Sequence, residues 1–122
     1  MLEIIPLKDK ILQESVCIHC GVTFDASLMA YAAYESGKPI GICQFSIKDD
    51  EGYLIDLKSC DNAYPSRPIF LMGSAVLNFI DMCGAHNVKC ENKNIDASLL
   101  CSIGFSKKSN GSFEIDLSDA VD

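Results

Sequence analysis

Tryptophan is absent from the 122 residues, and positive charge is scarce: ten Lys and Arg stand against seventeen Asp and Glu, a net charge of −7. The first absence leaves the core to Ile, Leu, Val, Phe and Met. The second argues against a nucleic-acid partner, because phosphate binding needs clustered Lys and Arg. The same acidity disfavours polyanions unless cations gather locally, and weakly favours a cationic substrate. No apolar run approaches the roughly 20 residues of a membrane span, so no membrane partner is expected. The opening MLEIIPLKDK has no basic stretch followed by a long apolar one, and does not read as a secretory signal. Repeats, low-complexity tracts and linkers are also missing. The length suits one domain, residues 1–122.

Cysteine, by contrast, is abundant. There are seven, an odd number, most of them inside apolar patterns. Without a secretory signal this reads as a reduced, cytoplasmic protein. Cys17-Ile18-His19-Cys20 contains a Cys-x-x-Cys spacing, but a zinc site needs about four ligands. No second such pair exists, and Cys43, Cys60, Cys83, Cys90 and Cys101 are scattered. The reading is a core Cys20 beside a surface His19, with no metal.

Hydropathy patterning gives the element order. Residues 2–7 read as a first strand. From Asp9 to Cys20 the pattern turns helical, with Leu12, Val16 and Cys20 at four-residue spacing, Asp9 as N-cap and Gly21 as stop. Strands follow at 28–35, 40–48 and 53–60. In the second, Ile40, Ile42, Gln44 and Ser46 share one face, and Gly41, Cys43, Phe45 and Ile47 the other. Short turns at 36–39 and 49–52 predict an antiparallel meander. A loop at 61–67 leads into a helix running to about Cys83, with Pro68 in its first turn and Val76, Ile80 and Cys83 on one face. A short strand at 86–92, a helix at 94–105 and a closing strand at 112–117 complete the chain; Asn110-Gly111 is a hairpin signal. The order β-α-β-β-β-α-β-α-β predicts an α/β (α+β) mixed central sheet, part of it parallel, with helices on both faces.

Two features carry chemical interest. Asp56 interrupts the apolar Leu54, Ile55 and Leu57, which marks it as a candidate general base; the competing reading is an ordinary solvent-facing strand position. The junction Pro65-Ser-Arg-Pro-Ile-Phe-Leu-Met-Gly-Ser-Ala75 passes from strand to helix. The unpaired N–H groups of a helix start favour an anion. Phosphate cradles are usually glycine-rich, and this stretch has one glycine among bulky apolar residues. It reads either as a modified cradle or as the start of a buried helix.

The element order, the meander carrying Glu35-Ser-Gly-Lys-Pro-Ile-Gly41, the helix ending Ile103-Gly104-Phe105 and the placement of PSRPIFLMGSA together resemble the GNAT acetyltransferase superfamily. The resemblance covers nearly the whole chain, with the family's two N-terminal helices reduced to one. It implies transfer of an acetyl or other acyl group from acyl-coenzyme A to a small-molecule or peptide amine, by direct attack in a ternary complex. It implies cofactor contacts at Leu57, Lys58, Ser59, Arg67, Met72, Gly73 and Ser74. The chain departs from the family's glycine-rich loop: Pro68 stands at the arginine position and Leu71 at the first glycine, with Arg67 one residue early. Where the family often carries a tyrosine acid, this chain has Leu100, and the adjacent Cys101 is the remaining proton-donor candidate. Glu35, Asp61 and Asn62 are further polar groups near the implied site. These departures keep a second reading open: a non-catalytic binding or regulatory module of the same fold, which would suit a homodimer formed through an apolar face.

Overall fold

The computed structural model describes residues 1–60 and 66–120. A seven-stranded sheet runs in the order β1-β2-β3-β4-β5-β7-β6. Its strands are β1 (Leu2–Pro6), β2 (Met29–Glu35), β3 (Lys38–Lys48), β4 (Glu51–Ser59), β5 (Asn87–Cys90), β6 (Ser106–Lys107) and β7 (Phe113–Asp116). The helices are α1 (Lys10–Cys20), α2 (Ser66–Met82) and α3 (Ala97–Ile103), followed at the end by a 3-10 turn at Leu117–Ala120. Among the described residues, β4 and β5 are the one pair that runs parallel, because α2 carries the chain across the sheet between them. The other pairings are antiparallel.

Helix limits follow the capping chemistry. The Asp9 side chain accepts from the N–H groups of Ile11 and Leu12, and Gly21 closes α1 with φ of 76°, a conformation that favours glycine. Asp96 caps α3 in the same way, so this helix is shorter than the 94–105 expected from sequence.

The sheet separates two apolar layers. In one lie Cys43, Phe45, Leu54, Leu57 and Val88 from the sheet, with Met72, Val76 and Ile80 from α2 and Leu100 from α3. Against α1 lie Ala30, Ala32 and Ile42, with Val16, Cys17 and Cys20 from the helix.

Three expectations are corrected. The buried stripe of α1 is Gln13, Val16, Cys17 and Cys20, while Leu12 is 41 % exposed; a shift of one residue rotates a helical position by about 100°. Ile40 sits with the α2 layer, not with Ile42. Ala33 pairs with Gly41 and Tyr34 with Pro39, which makes Ile40 the extra residue of a bulge that resets the alternation. The single closing strand is a hairpin, β6 to β7, across the Asn110-Gly111 turn. At two residues, β6 is too short to leave a periodic signal.

Candidate functional site

The site begins where pairing stops. β4 meets β5 only from Glu51–Asn87 to Tyr53–Lys89. β3 pairs Gln44 with Asp56 but Phe45 with Leu54, which leaves Ile55 bulged. A bulge bends its strand and adds twist. From there β4 keeps β3 on one edge and leaves β5 on the other.

The gap is a cleft of about 500 Å³. Its walls are Gly21–Thr23 after α1, Asp56–Ser59 of β4, Ile69 of α2, Asn92 and Asn94–Asp96 after β5, and Leu99 of α3. Asn92 reaches across it, donating from Nδ2 to the Ile55 carbonyl at 2.7 Å. This satisfies a bulge carbonyl that has no strand partner on that edge.

Alternation assigns the remaining groups of β4. The Lys58 carbonyl lies on the β3 side, beside Gly41, and the Cys60 N–H bonds to Ile40 there. Backbone groups of alternate strand residues point to opposite edges. The N–H and C=O of Leu57 therefore point into the cleft, and those of Ser59 follow. Side chains alternate between faces as well: Leu57 packs toward Gly73 of α2, while Lys58 extends toward Gly21 and Asp56 toward Gln44 on the α1 face.

Asp56 is held by side-chain amides. Oδ2 accepts from Gln44 Nε2 at 2.7 Å, and Oδ1 lies 3.5 Å from Asn92 Nδ2. The nearby thiols are not acid–base groups at neutral pH. Burial, reinforced by the Asp56 charge and then Glu14, pushes Cys17 up to about 11. Cys43 is raised for the same two leading reasons, burial and then Asp56.

Comparison with known proteins now bears on this geometry. No protein-family model matches the chain, and no curated protein does. Solved structures do. A GNAT family acetyltransferase from Brucella melitensis in complex with acetyl-CoA superposes with a TM-score of 0.72 at 13 % identity, over 95 % of this chain and 88 % of that one. The IAA acetyltransferase from Bacillus cereus gives 0.72 at 13 %, over 96 % and 100 %. The ribosomal-protein-S18-alanine N-acetyltransferase from Escherichia coli gives 0.68 at 13 %, over 94 % and 90 %. The chain has the GNAT acetyltransferase fold.

Within that GNAT fold the expected site residues separate into two groups. Asp56, Leu57, Lys58 and Ser59 come together on one wall of the cleft. Arg67 is exposed in the first turn of α2, close in sequence to the cleft-lining Ile69. Met72 and Gly73 lie elsewhere: both are inside α2 and buried, Met72 completely. A Cβ on Gly73 would come within 2.8 Å of Ile103 Cδ1 and 3.4 Å of Leu57 Cδ2, so this glycine lets α2 approach α3 and β4. Neither residue, nor the half-buried Ser74, lines the cleft among the described residues. The GNAT loop register counts from Pro65, yet the helix already begins at Ser66. Pro65, Asp61 and Asn62 lie outside the described residues.

Cys101 is exposed on α3 and does not line the cleft, whereas Leu100 is fully buried. Glu35 pairs with the N-terminal amine at the far end of β2. Cys17 belongs to the α1 layer. Cys20 and Cys60 bring their sulfurs together, across 40 residues of sequence, where the end of α1 meets the end of β4. The other five cysteines are free. No group of three or more His, Cys, Asp or Glu is arranged for a metal ion among the described residues. No helix there is long and apolar enough to cross a membrane.

Sequence reasoning missed Gln13 and Asn92. Gln13 occupies a helical core position, where a polar residue looks like a break in the pattern. Asn92 closes the strand expected at 86–92, whereas β5 stops at Cys90 and leaves Asn92 just past its end.

Proposed function

We propose that the chain is an acyl-coenzyme A-dependent N-acyltransferase that moves an acetyl group from acetyl-coenzyme A to a small-molecule or peptide amine. The observation that carries this reading is the open β4 edge: Leu57 turns its backbone N–H and C=O into a cleft of about 500 Å³ at the point where β5 departs. Acetyl-coenzyme A supplies an activated thioester. The residues present fit its pantetheine arm, which is an extended chain of amides and methylenes. The β4 backbone offers strand-like hydrogen bonds, Val22, Ile69, Ile95 and Leu99 offer apolar walls, and the volume is in the range of small-molecule sites. The first turn of α2, with the Arg67 and Lys58 charges, suits the anionic end.

Each group then has a chemical task. The Leu57 N–H donates to developing negative charge on an oxygen placed against the strand. Asp56 takes the proton of the attacking amine. Direct attack needs both substrates held together in one cleft. The reading keeps the cytoplasm as the site of action.

One observation favours a second reading, a non-catalytic module. Leu99 is the α3 side chain that lines the cleft, so α3 presents no proton donor to a leaving thiolate there. Thermal unfolding with acetyl-coenzyme A, followed by calorimetric titration, separates the two. Ligand at about 100 times its Kd stabilises a fold by roughly 2.7 kcal/mol. A clear upward shift supports the enzyme, and assays with a panel of amines then follow, with Asp56→Asn expected to lose roughly 10²-fold or more in rate. The absence of any shift at millimolar ligand sinks the enzyme reading and leaves the module.

A further inference from the structure

Gln13 and Gln44 are the two fully buried polar side chains among the described residues, and they are bonded to each other. They belong to a longer chain. Lys10 Nζ donates to Gln13 Oε1 at 3.0 Å. Gln13 Nε2 donates to Gln44 Oε1 at 2.9 Å. Gln44 Nε2 donates to Asp56 Oδ2 at 2.7 Å and to the Thr23 carbonyl at 2.8 Å. The chain runs from the exposed first residue of α1, beneath the helix, to the cleft.

Its direction is fixed by its ends. An ammonium has only donors and an ionised carboxylate only acceptors, whereas an amide has one of each kind of end. Reversing either glutamine would set donor against donor at one junction and acceptor against acceptor at the other. Lys10 therefore determines which way Gln13 faces, Gln13 determines Gln44, and Gln44 aims an N–H at Asp56. Glutamine amides do not take up protons near neutral pH, so the chain orients without conducting.

We propose that Lys10, Gln13 and Gln44 are positioning residues for Asp56: they occupy Oδ2 and present Oδ1 to the cleft as the proton-accepting oxygen. This rests on the acyltransferase reading for its catalytic meaning, but not for its test. Three observations support it. A polar pair without exposure in an otherwise apolar layer costs stability unless fully bonded, and this pair is fully bonded. Among the described residues no ion pair neutralises Asp56. Gln44 Oε1 also accepts from the Asp25 N–H at 3.4 Å, a backbone bond that further fixes which way this amide faces.

The test uses the full chain with Lys10→Met, Gln44→Leu and Asp56→Asn, and acetyl-coenzyme A as probe. The first readout is the carbon-13 chemical shift of the Asp56 carboxyl at neutral pH, with Asp56→Asn assigning the signal. Other groups around Asp56 are Cys17 from α1, Cys43 from β3, Cys90 from β5, Lys58 on its own strand and Asp96 across the cleft; none of them is altered. Gln44 donates to Oδ2, so the signal moves when that hydrogen bond is reoriented in Lys10→Met and moves further when it is lost in Gln44→Leu. The second readout is thiol release from acetyl-coenzyme A, with water or an amine as acceptor. It falls roughly tenfold in Gln44→Leu, a part of the roughly 10²–10⁴ that a general base supplies. KM for acetyl-coenzyme A is unchanged. Lys10→Met alters an exposed end and keeps the test alive if Gln44→Leu does not fold. An Asp56 signal identical to wild type in Lys10→Met overturns the proposal, as does a moved signal with an unchanged rate. If acetyl-coenzyme A does not bind the wild-type chain, the acyltransferase reading falls separately, while the carboxyl signals still decide whether the chain acts on Asp56.

Discussion

Gly73 offers a direct test of whether this helix cradles a ligand or packs against its neighbours. In packing terms, replacing Gly73 by Ala has two opposed effects. An alanine inside a helix is favoured over glycine by about 1 kcal/mol. The new methyl, however, meets Ile103 Cδ1 at 2.8 Å, while its Leu57 contacts, at 3.4 and 3.6 Å, are nearly ordinary. Overpacking of this kind costs about 1–3 kcal/mol. Gly73→Ala alone is therefore expected to be between neutral and about 2 kcal/mol destabilising. Ile103→Val deletes the colliding carbon at a cost of about 0.5–1.5 kcal/mol. On that background the alanine fills the vacated space and keeps its helical advantage. The double variant, Gly73→Ala with Ile103→Val, should be more stable than Ile103→Val alone by about 1 kcal/mol, roughly 4 °C in Tm for a chain of this size. Urea unfolding of wild type, the two single variants and the double variant gives a double-mutant cycle with a coupling of about 1 kcal/mol or more. Coenzyme A affinity should be the same in the double variant and in Ile103→Val. A Gly73→Ala change that destabilises the Ile103→Val background, or costs it about tenfold in affinity (roughly 1.4 kcal/mol), would refute the packing account and return Gly73 to the ligand.

Acid should weaken the fold in a defined window. Hydrogen bonds from Ser27, Ser98 and Ser118 hold Asp25, Asp96 and Asp116 below the ordinary carboxylate value, and Tyr53, then Asn87, do the same for Glu51. Groups depressed on folding stabilise above their unfolded pKa, and that contribution is lost as pH falls through the folded values; urea midpoints should be flat between about pH 5 and 8 and fall below about pH 4. Thiol titration of the denatured, unreduced chain should count five thiols, rising to seven after reduction. Reduction should cost about 4 kcal/mol by loop entropy for a 40-residue separation; seven thiols at the outset would refute the Cys20–Cys60 link. Phe45, Tyr31 and Phe79 form a triangle of tilted and edge-on rings with centroids 5.9 Å apart, so Phe45→Ala should lose about 3–5 kcal/mol in chemical unfolding.

Most of the fold is legible in the sequence because its signals are local. Asp9 and Gly21 bracket α1, the turn at Ser36-Gly37 sets the meander, and Val88 and Cys90 alternate inward. What cannot be read depends on contacts between distant residues. Ile40 changes layers because of a bulge opposite Ala33 and Tyr34, and nothing within residues 38–48 announces it. Gly73 resembles a ligand position because glycine has two uses, and only the approach of Ile103, far along the chain, distinguishes them. Asp56 is noticeable as a charge in an apolar run. The amide chain behind it, however, starts from Gln13, on a helix face that periodicity assigns to Leu12.

The bulge and the buried amides are two parts of one arrangement. Ile55 as an extra residue turns β4 away from β5, and the parting edge exposes backbone groups that a continuous sheet would have paired. The same extra residue keeps Asp56 opposite Gln44 while Leu54 pairs with Phe45. Were the strand regular instead, with Ile55 paired to Gln44, every residue beyond it would change face. Asp56 would then turn toward the α2 layer that holds Cys43, and Lys58 would follow. The position of the open edge and the face of its one carboxylate are thus set by the bulging of a single residue. Asn92 braces that residue from across the cleft, bonding the Ile55 carbonyl at 2.7 Å and standing 3.5 Å from Asp56. A chain that needed only a stable sheet would have no use for a bulge at this point, an amide pair beneath it and an asparagine bridging the gap. Their convergence on Asp56 is the strongest physical reason to look for chemistry there.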